Sequence, residues 1–596
     1  MLDALQEKKG YTETQAYNLL FSGGLSIYTT QDPKLQAIVD SEVNNEENYD
    51  VAYYSVDYRL SLQHADGTTT HYSDESMKSY FKKDLGRASF DGLFSSKEEA
   101  AEAVETYKAA MLKEGDTVLG ESTYYILQPQ LSFVLMDHST GYVKAINGGR
   151  GEKEISRSLN RATNTVKQPG STFKVLTTFA PAIDTCGDTL ASVYYDAPYT
   201  VGAKTFRNWY GNKGYFGYSN IRDGIVYSMN IVTVRCMMET VTAELGVEYT
   251  RNFGITSLTD SDYNASTALG GITAGVSNLE LTAAYAAIAN QGIYTKPIFF
   301  TKILDHDGKV ILESEPETRR VIKDSTAFLL TDAMAQSMES SLMYASPGVS
   351  LSSTSPSANI PGMSNAGKSG TTSDNNDIWF VGYTPHYTAG VWSGCDENQK
   401  ISAIGSSTSY HKKIWRKIMT KAHEGLADTG FHMPDSIETA EVCRKSGMLA
   451  SPGVCELDPR GSSIYTEYFE KGTAPTELCT HHVLTTVCAE SGGSPTEFCP
   501  EESKIQRAAM VLPANETGAT DDSNYIAQPV PCPIHITAVE TLPEENDSAI
   551  TGDSSSTITT IPLGPGYLGP GYSSSGNSDS NNNYGPGSYG PAAGRP

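Results

Sequence analysis

The stretch "RATNTVKQPGSTFKVLTTFAPAID", residues 161–184, decides how the rest of the chain is read. Pro169 and Gly170 close an irregular segment, and an apolar pattern of helical period begins directly behind them. Ser171 and Lys174 then fall on the first turn of a helix, where residues three apart share a face. A serine hydroxyl is a weak nucleophile at neutral pH and needs a base. A lysine serves as that base once burial or a nearby positive charge lowers its pKa. A helix start adds backbone N–H groups and the positive end of the dipole near the serine oxygen. Ser-x-x-Lys alone decides nothing, because the chain repeats it at Ser79–Lys82 ("SYFK") and Ser409–Lys412 ("SYHK").

Two further motifs follow in order. "YSMN" supplies Ser228, whose hydroxyl can relay a proton, and Asn230, whose amide can hold a substrate carbonyl. Ser-x-Asn is common and weak by itself. "AGKSGTTSDNNDIWF" supplies Lys368, Ser369, Gly370, Thr371 and Thr372 at a strand edge. There a lysine and hydroxyls can bind a carboxylate, and a glycine permits close backbone approach. This third pattern is far rarer by chance. The decoys separate by position: Ser79 lies in a polar stretch before the first β-hairpin, Ser409 follows Lys368, and "SDN" at 373–375 also comes too late.

The 596-residue chain is long enough for three or four units. Its net charge of −26 and pI near 4.8 exclude a nucleic-acid-binding face and otherwise serve solubility. No apolar run is long enough to span a membrane, and the N-terminus has no signal-peptide core. Of the nine cysteines, Cys186, Cys236 and Cys395 are scattered as small buried thiols. Cys443, Cys455, Cys479, Cys488, Cys499 and Cys532 crowd the last quarter, two of them in the phrases "PTELC" and "PTEFC". An even cluster in a loop-rich segment predicts disulfides in an oxidising compartment. The competing arrangement, a metal held by Cys479, His481, His482 and Cys488, fits no standard zinc spacing.

Along the chain, residues 1–22 look helical, and "LSIYTTQDPKLQAIVDSEV" reads as a strand and then a helix. Residues 44–128 are polar and mixed, with one clear helix capped by Ser96. "LSFVLMDHSTGYVKAINGG" is a β-hairpin. Helical patterns dominate from 171 to about 350, and "DIWFVGYTPHYTAGVWSG" restores strands. Strands at both ends of a helical block predict an α+β fold whose first and last strands pair. The stretch 426–510 forms a Cys-containing extension, and 511–596, ending in Gly, Pro, Ser and Asn repeats, is predicted disordered.

The three motifs in this order resemble the Ser-x-x-Lys, Ser-x-Asn and Lys-Thr-Gly set of penicillin-binding proteins and serine β-lactamases. "LSIYTTQDPKLQ", "VLMDHSTGYVKAINGG", "NRATNTVKQPGSTFK" and "ALGGITAGVSNLELTAAYAAIANQGIYTKP" together resemble the transpeptidase half of class A penicillin-binding proteins. "EYFEKGTAPTELCTHH" is similar to C-terminal extensions of some Gram-positive members. The resemblance implies the penicillin-binding transpeptidase fold over 129–425, behind a linker region 1–128 whose 44–128 part is an unmatched insertion. It implies Ser171 as nucleophile, Lys174 as base and Ser228 and Lys368 as catalytic partners. Asn230, Ser369, Gly370, Thr371 and Thr372 become substrate-binding positions. The implied substrate is a peptidoglycan stem peptide ending in D-Ala-D-Ala, with β-lactams as inhibitors and no metal or organic cofactor. The implied location is the cell surface of a Gram-positive bacterium, with an N-terminal membrane anchor and a glycosyltransferase that is either a further domain of a longer protein or a separate partner from a split gene. Ser369 departs from the usual threonine but keeps the hydroxyl. A D,D-carboxypeptidase, a β-lactamase and a non-catalytic wall-assembly scaffold share parts of this pattern.

Overall fold

The computed structural model describes residues 1–537, apart from 154–155, 157, 345–349, 517–518 and 528–529. Its centre is a five-stranded antiparallel sheet built from strands on both sides of the helical block: β1 (Gln130–Asp137), β2 (Tyr142–Asn147), β3 (Ala366–Thr371), β4 (Asp377–Tyr383) and β5 (Thr388–Gly394). The spatial order is β3-β4-β5-β1-β2, so the early hairpin and the late strands join as their sequence positions predict. Register places Lys368 opposite Val381 and Gly370 opposite Trp379.

Side chains of a strand alternate between faces, and here both faces are buried. Val134, Met136, Trp379 and Val381 enter one core with Phe173, Phe179, Ile225 and Tyr285 of the helical block. Phe133, Leu135, Ile378 and Phe380 enter a second core. That second core is closed by α1 (Pro33–Val43) and α4 (Tyr410–Ala422), bringing Leu35, Val39, Ile414 and Trp415. Asp32 starts α1 by accepting from the N–H groups of Lys34 and Leu35, with Pro33 in the first turn. In the helical block, α2 (Asn278–Ala289) begins with a capping box between Ser277 and Glu280, and α3 (Asp324–Met338) packs against β3.

The polar insertion is a folded unit: Tyr53–Gln63 pairs with both Thr69–Ser73 and Thr117–Gln128, and two helices cover one face. Its own core holds Tyr58, Leu60, Phe81, Phe94 and Tyr107. The helix behind Ser96 is present as Lys97–Met111. The stretch read as helical, 171 to about 350, also carries short hairpins, among them Val193–Asp196 against Gly217–Asn220. The extension continues past 511: Asp521–Tyr525 is helical, and Asp522 is buried between Lys445 and Arg460 at 2.8 and 2.5 Å. Acidic composition concealed carboxylates that find buried cations. The Gly/Pro/Ser/Asn-rich repeats from 538 onward lie outside the described residues.

The expected disulfides are also absent, and all nine cysteines are free. The grouping of Cys479, His481, His482 and Cys488 fails for a geometric reason. Residues His482–Cys488 form one strand, which separates its ends by about 20 Å at the ordinary rise per residue. His481 instead stacks on Tyr218 at 4.0 Å and bonds the Lys445 carbonyl.

The extension docks through charges onto the short helix Ile221–Val226, which runs directly into Ser228. Arg222 makes two bonds, at 2.7 and 2.5 Å, to the fully buried Glu467 and a third to Asp332 at 2.6 Å. Arg444 pairs with Asp223 at 2.6 Å. Glu467→Ala should therefore lower folding stability by about 3 kcal/mol, near the bottom of the range for breaking a buried ion pair because Asp332 still faces Arg222. Urea denaturation of parent and variant measures it; a loss under about 0.5 kcal/mol contradicts the assigned role.

Candidate active site

The backbone around Ser171 is pinned before any side chain is considered. The Lys167 N–H and carbonyl both pair with Val276, and the Trp379 indole donates to the Gln168 carbonyl at 2.8 Å. Gly170 has φ +54, and a side chain there would meet the Thr371 backbone at 2.7–3.0 Å, while a side chain at Gly270 would run into the Gly170 backbone. A side chain at Gly370 would in turn run into the Pro169 carbonyl. Two glycines thus let the 169–172 turn lie directly against the end of β3.

Gly170–Thr172 forms a single 3₁₀ turn, helical backbone continues through Lys174, and Val175–Phe179 is a π-helical turn before Ala180–Asp184. The regular α-helical start expected from sequence is thus a mixed one. Such local π turns recur at functional sites. Residues three apart still stack on one side of it. The Ser171 hydroxyl has no hydrogen-bond partner among the described residues and is half-buried.

Lys174 is fully buried and donates to the Ser228 carbonyl at 2.7 Å, the Ser228 hydroxyl at 3.3 Å and Asn230 Oδ1 at 2.7 Å. Lys368, also fully buried, reaches the same Ser228 hydroxyl from β3 at 2.9 Å. One oxygen therefore joins two buried amines from segments far apart in the chain. Ser228 holds it there with φ +53, a strained backbone for a residue with a side chain. Asn230 is fixed by Asn208, which accepts from its backbone N–H at 2.9 Å, and its side-chain nitrogen donates to the Arg207 carbonyl. Its second N–H remains for a ligand carbonyl.

Electrostatics follow from burial. Desolvation first, then the charge of Lys368, hold Lys174 well below the ordinary lysine pKa. Burial, aided by Lys412, brings Lys368 down to about 7. Lys412, on α4, is itself lowered to about 8 by burial and donates to the Thr354 carbonyl. It belongs to the "SYHK" repeat set aside as a decoy. Ser409 holds no catalytic place, yet Lys412 tunes the site, a role that only the folded packing reveals.

The remaining sequence candidates divide. Alternation puts Ser369 and Thr371 on the accessible face of β3, with Lys368 and Gly370 inward. The Thr372 hydroxyl accepts from Asp377 N–H at 3.1 Å across the β3–β4 turn, which leaves its own O–H as a donor. Trp209, 57% exposed, hydrogen-bonds the Tyr227 carbonyl beside Ser228 and lines this region unforeseen.

A family model for the penicillin binding protein transpeptidase domain matches residues 131–420, and one for the C-terminal domain of penicillin-binding protein 1A matches 433–484. Over 519 residues the chain is 31% identical to penicillin-binding protein 1A of Clostridium botulinum strain Hall, covering 84% of this chain and 52% of that protein. It is 36% identical to penicillin-binding protein 1A of Clostridium tetani over 375 residues, 60% of this chain and 45% of that one. The chain spans about half the length of the curated relatives it matches. In fold it is similar to penicillin-binding protein 1A of Haemophilus influenzae, with TM-score 0.53, 19% identity and coverage of 80% and 82% of the two chains.

The Lys368 pKa has a consequence for stability. The folded protein releases this proton near pH 7, while the unfolded chain keeps it to about 10.4. Between those values the unfolded chain binds more protons, so this group's contribution to stability rises with pH and is lowest below pH 7. Relative to Lys368→Met, the parent should gain about 1–2 kcal/mol in urea denaturation between roughly pH 7 and 9. A stability difference independent of pH contradicts the shift.

Proposed function

The chain belongs to the penicillin-binding protein transpeptidases through residues 131–420, and from that premise we propose a serine-type D,D-transpeptidase that cross-links peptidoglycan stem peptides through an ester on Ser171. The observation that carries the proposal is the pair of buried amines, Lys174 and Lys368, converging on the Ser228 hydroxyl beside the Gly170–Thr172 turn.

Its lowered pKa suits Lys174 to take the proton as Ser171 Oγ bonds to the carbonyl carbon of the penultimate D-Ala. The oxygen of the tetrahedral intermediate accepts from the N–H groups of Ser171 and Thr371. Support for that pair is the close packing of Gly170 on the Thr371 backbone. Losing one such donor slows acyl transfer by about 10²–10³. Collapse breaks the C–N bond, and the Ser228 hydroxyl passes the proton to the departing D-Ala amine. Lys368 binds the terminal carboxylate, which favours its charged form, together with Ser369 and Thr371. β3 is an edge strand of its sheet and offers free backbone groups to an extended peptide. Asn230 donates its remaining N–H to the acyl-side amide carbonyl. A side-chain amine of a second stem peptide then attacks the ester, forming the cross-link and freeing Ser171.

A β-lactam presents an amide and a carboxylate in matching positions and acylates the same serine. The PonA1 protein of Mycobacterium tuberculosis, similar in fold at TM-score 0.50 and 20% identity over 73% of this chain and 94% of that one, was solved with penicillin V. The protein on this reading works outside the cytoplasmic membrane, at the surface of a Gram-positive cell. Thr372 serves the turn, so its replacement should cost less activity than that of Ser369.

Intact-mass measurement after benzylpenicillin treatment tests the proposal. The parent should gain one drug mass on the peptide bearing Ser171, Ser171→Ala should gain none, and Lys174→Met should acylate about 10²–10⁴ times more slowly. An adduct surviving in Ser171→Ala overturns the assignment. Incubation with stem peptide and acceptor separates cross-linked product from the hydrolysed peptide that a carboxypeptidase releases.

A further inference from the structure

The six cysteines of the extension gather in two groups, each completed by one histidine. Cys443, Cys455, Cys479 and His482 bring their donor atoms within 4.8 Å of one another, and so do Cys488, Cys499, Cys532 and His535. Each trio of thiols is buried in a small cluster of its own. Three thiols per cluster cannot all pair, so disulfides would strand one in each.

The two groups are built alike, and this repetition is the second observation. In each, a strand ends at the first cysteine: Ile437–Cys443 and His482–Cys488. "CRKSG" and "CAESG" follow, and Gly447 and Gly492 donate back to the carbonyls of Cys443 and Cys488, each at 2.8 Å. The second cysteine closes "SPGVC" and "SPTEFC", with a backbone N–H of Ser451 or Thr496 donating to its sulfur at 3.3 Å. A return strand pairs next, Ile464–Glu470 or Lys504–Met510. The third cysteine then comes in Cys-x-x-His, as "CTHH" and "CPIH". Even the bridge is repeated: Leu449 pairs in parallel with Leu478, and Ser494 with Pro531.

We infer that the extension is a tandem pair of structural zinc modules, each holding one Zn²⁺ through three cysteine thiolates and one histidine. Buried thiol and imidazole donors in a closed set of four match structural zinc in ligand type and number. A tetrahedral site with Zn–S near 2.3 Å and Zn–N near 2.0–2.1 Å has a sulfur–nitrogen edge of about 3.6 Å. The observed separations from Nδ1 are 3.3 and 3.6 Å at His482 and 3.5 and 3.4 Å at His535. Nε2 of His482 faces Asp458 Oδ2 at 2.9 Å, the outer carboxylate that orients a metal-binding imidazole, and Arg460 and Ser463 hold that carboxylate. Nε2 of His535 faces Glu490 at 3.5 Å. Each ion displaces the protons of its thiols, and no electron transfer is involved.

Metal analysis by plasma mass spectrometry on the full chain, purified in reducing buffer without chelator, should find two zinc ions per chain. Cys455→Ser and Cys499→Ser should each retain one, and the double variant none. Because a serine variant can fail to fold, the unaltered chain exchanged into Co²⁺ provides an independent readout: intense thiolate-to-cobalt absorption of a tetrahedral site, saturating at two equivalents. One ion per chain, or none with no cobalt spectrum, overturns the tandem assignment. A non-reduced mass lower by the hydrogens lost to disulfides would overturn it in favour of the cross-linked alternative. None of these readouts depends on transpeptidase activity, so each stands or falls apart from the role of Ser171.

Discussion

A buried lysine is tolerated only when its surroundings either neutralise it or satisfy its donors, and the 131–420 region is organised around two of them. Lys174 and Lys368 are both removed from water and both reach the Ser228 hydroxyl. Each would be costly to charge there, and each makes the other more so. The shared hydroxyl, the Ser228 carbonyl, Asn230 and the Ser369 carbonyl give the amines partners without giving them counter-charges. Among the described residues no carboxylate pairs with either lysine. A carboxylate beside Lys174 would raise its pKa and remove the base. The site is therefore held together by hydrogen bonds alone, and its rigidity must come from outside.

That rigidity comes from three directions. The central sheet joins strands from both sides of the helical block, so β3 is fixed by pairing with β4 and by packing of Gly370 on the Pro169 turn. The turn that carries Ser171 is clamped by Val276 and Trp379. The helix leading into Ser228 is gripped from the far side by the extension, through Arg222–Glu467 and Asp223–Arg444. Two metal-stapled modules in that extension would give a loop-rich segment with little core of its own the stiffness that this grip requires. The extension thereby becomes a support for the Ser228 segment.

Much of this was legible in the sequence because local chemistry and order carried it. Lys174, Ser228 and Lys368 meet across segments that the motif order set apart, Ser171 lies one helical turn before Lys174, and the two apolar-rich runs of "DIWFVGYTPHYTAGVWSG" form β4 and β5. What stayed hidden depends on distance in space. Lys412 sits in a meaningless repeat until α4 packs behind the sheet. The bond that the Thr372 hydroxyl accepts from Asp377 N–H across the β3–β4 turn has no signal in the sequence. The insertion read as polar and mixed, with one helix, because its apolar residues, Tyr58, Phe81 and Tyr107 among them, are diluted by charge. The cysteines misled for a related reason. "PTELC" and "PTEFC" drew the eye as a repeat, whereas the true repeat equates Cys479 with Cys532, and only strand pairing exposes that register.

The claim on which the mechanism rests is that a buried amine next to Ser171 is uncharged at neutral pH. The pH dependence of the second-order rate of acylation by benzylpenicillin addresses it directly, over the range in which the fold is intact. The account predicts a rate that has reached its plateau well below the pH at which an ordinary lysine deprotonates, about 10.4. A rate still climbing tenfold per pH unit through that value would mean Lys174 keeps its proton in the folded protein, and the proposed base would be lost.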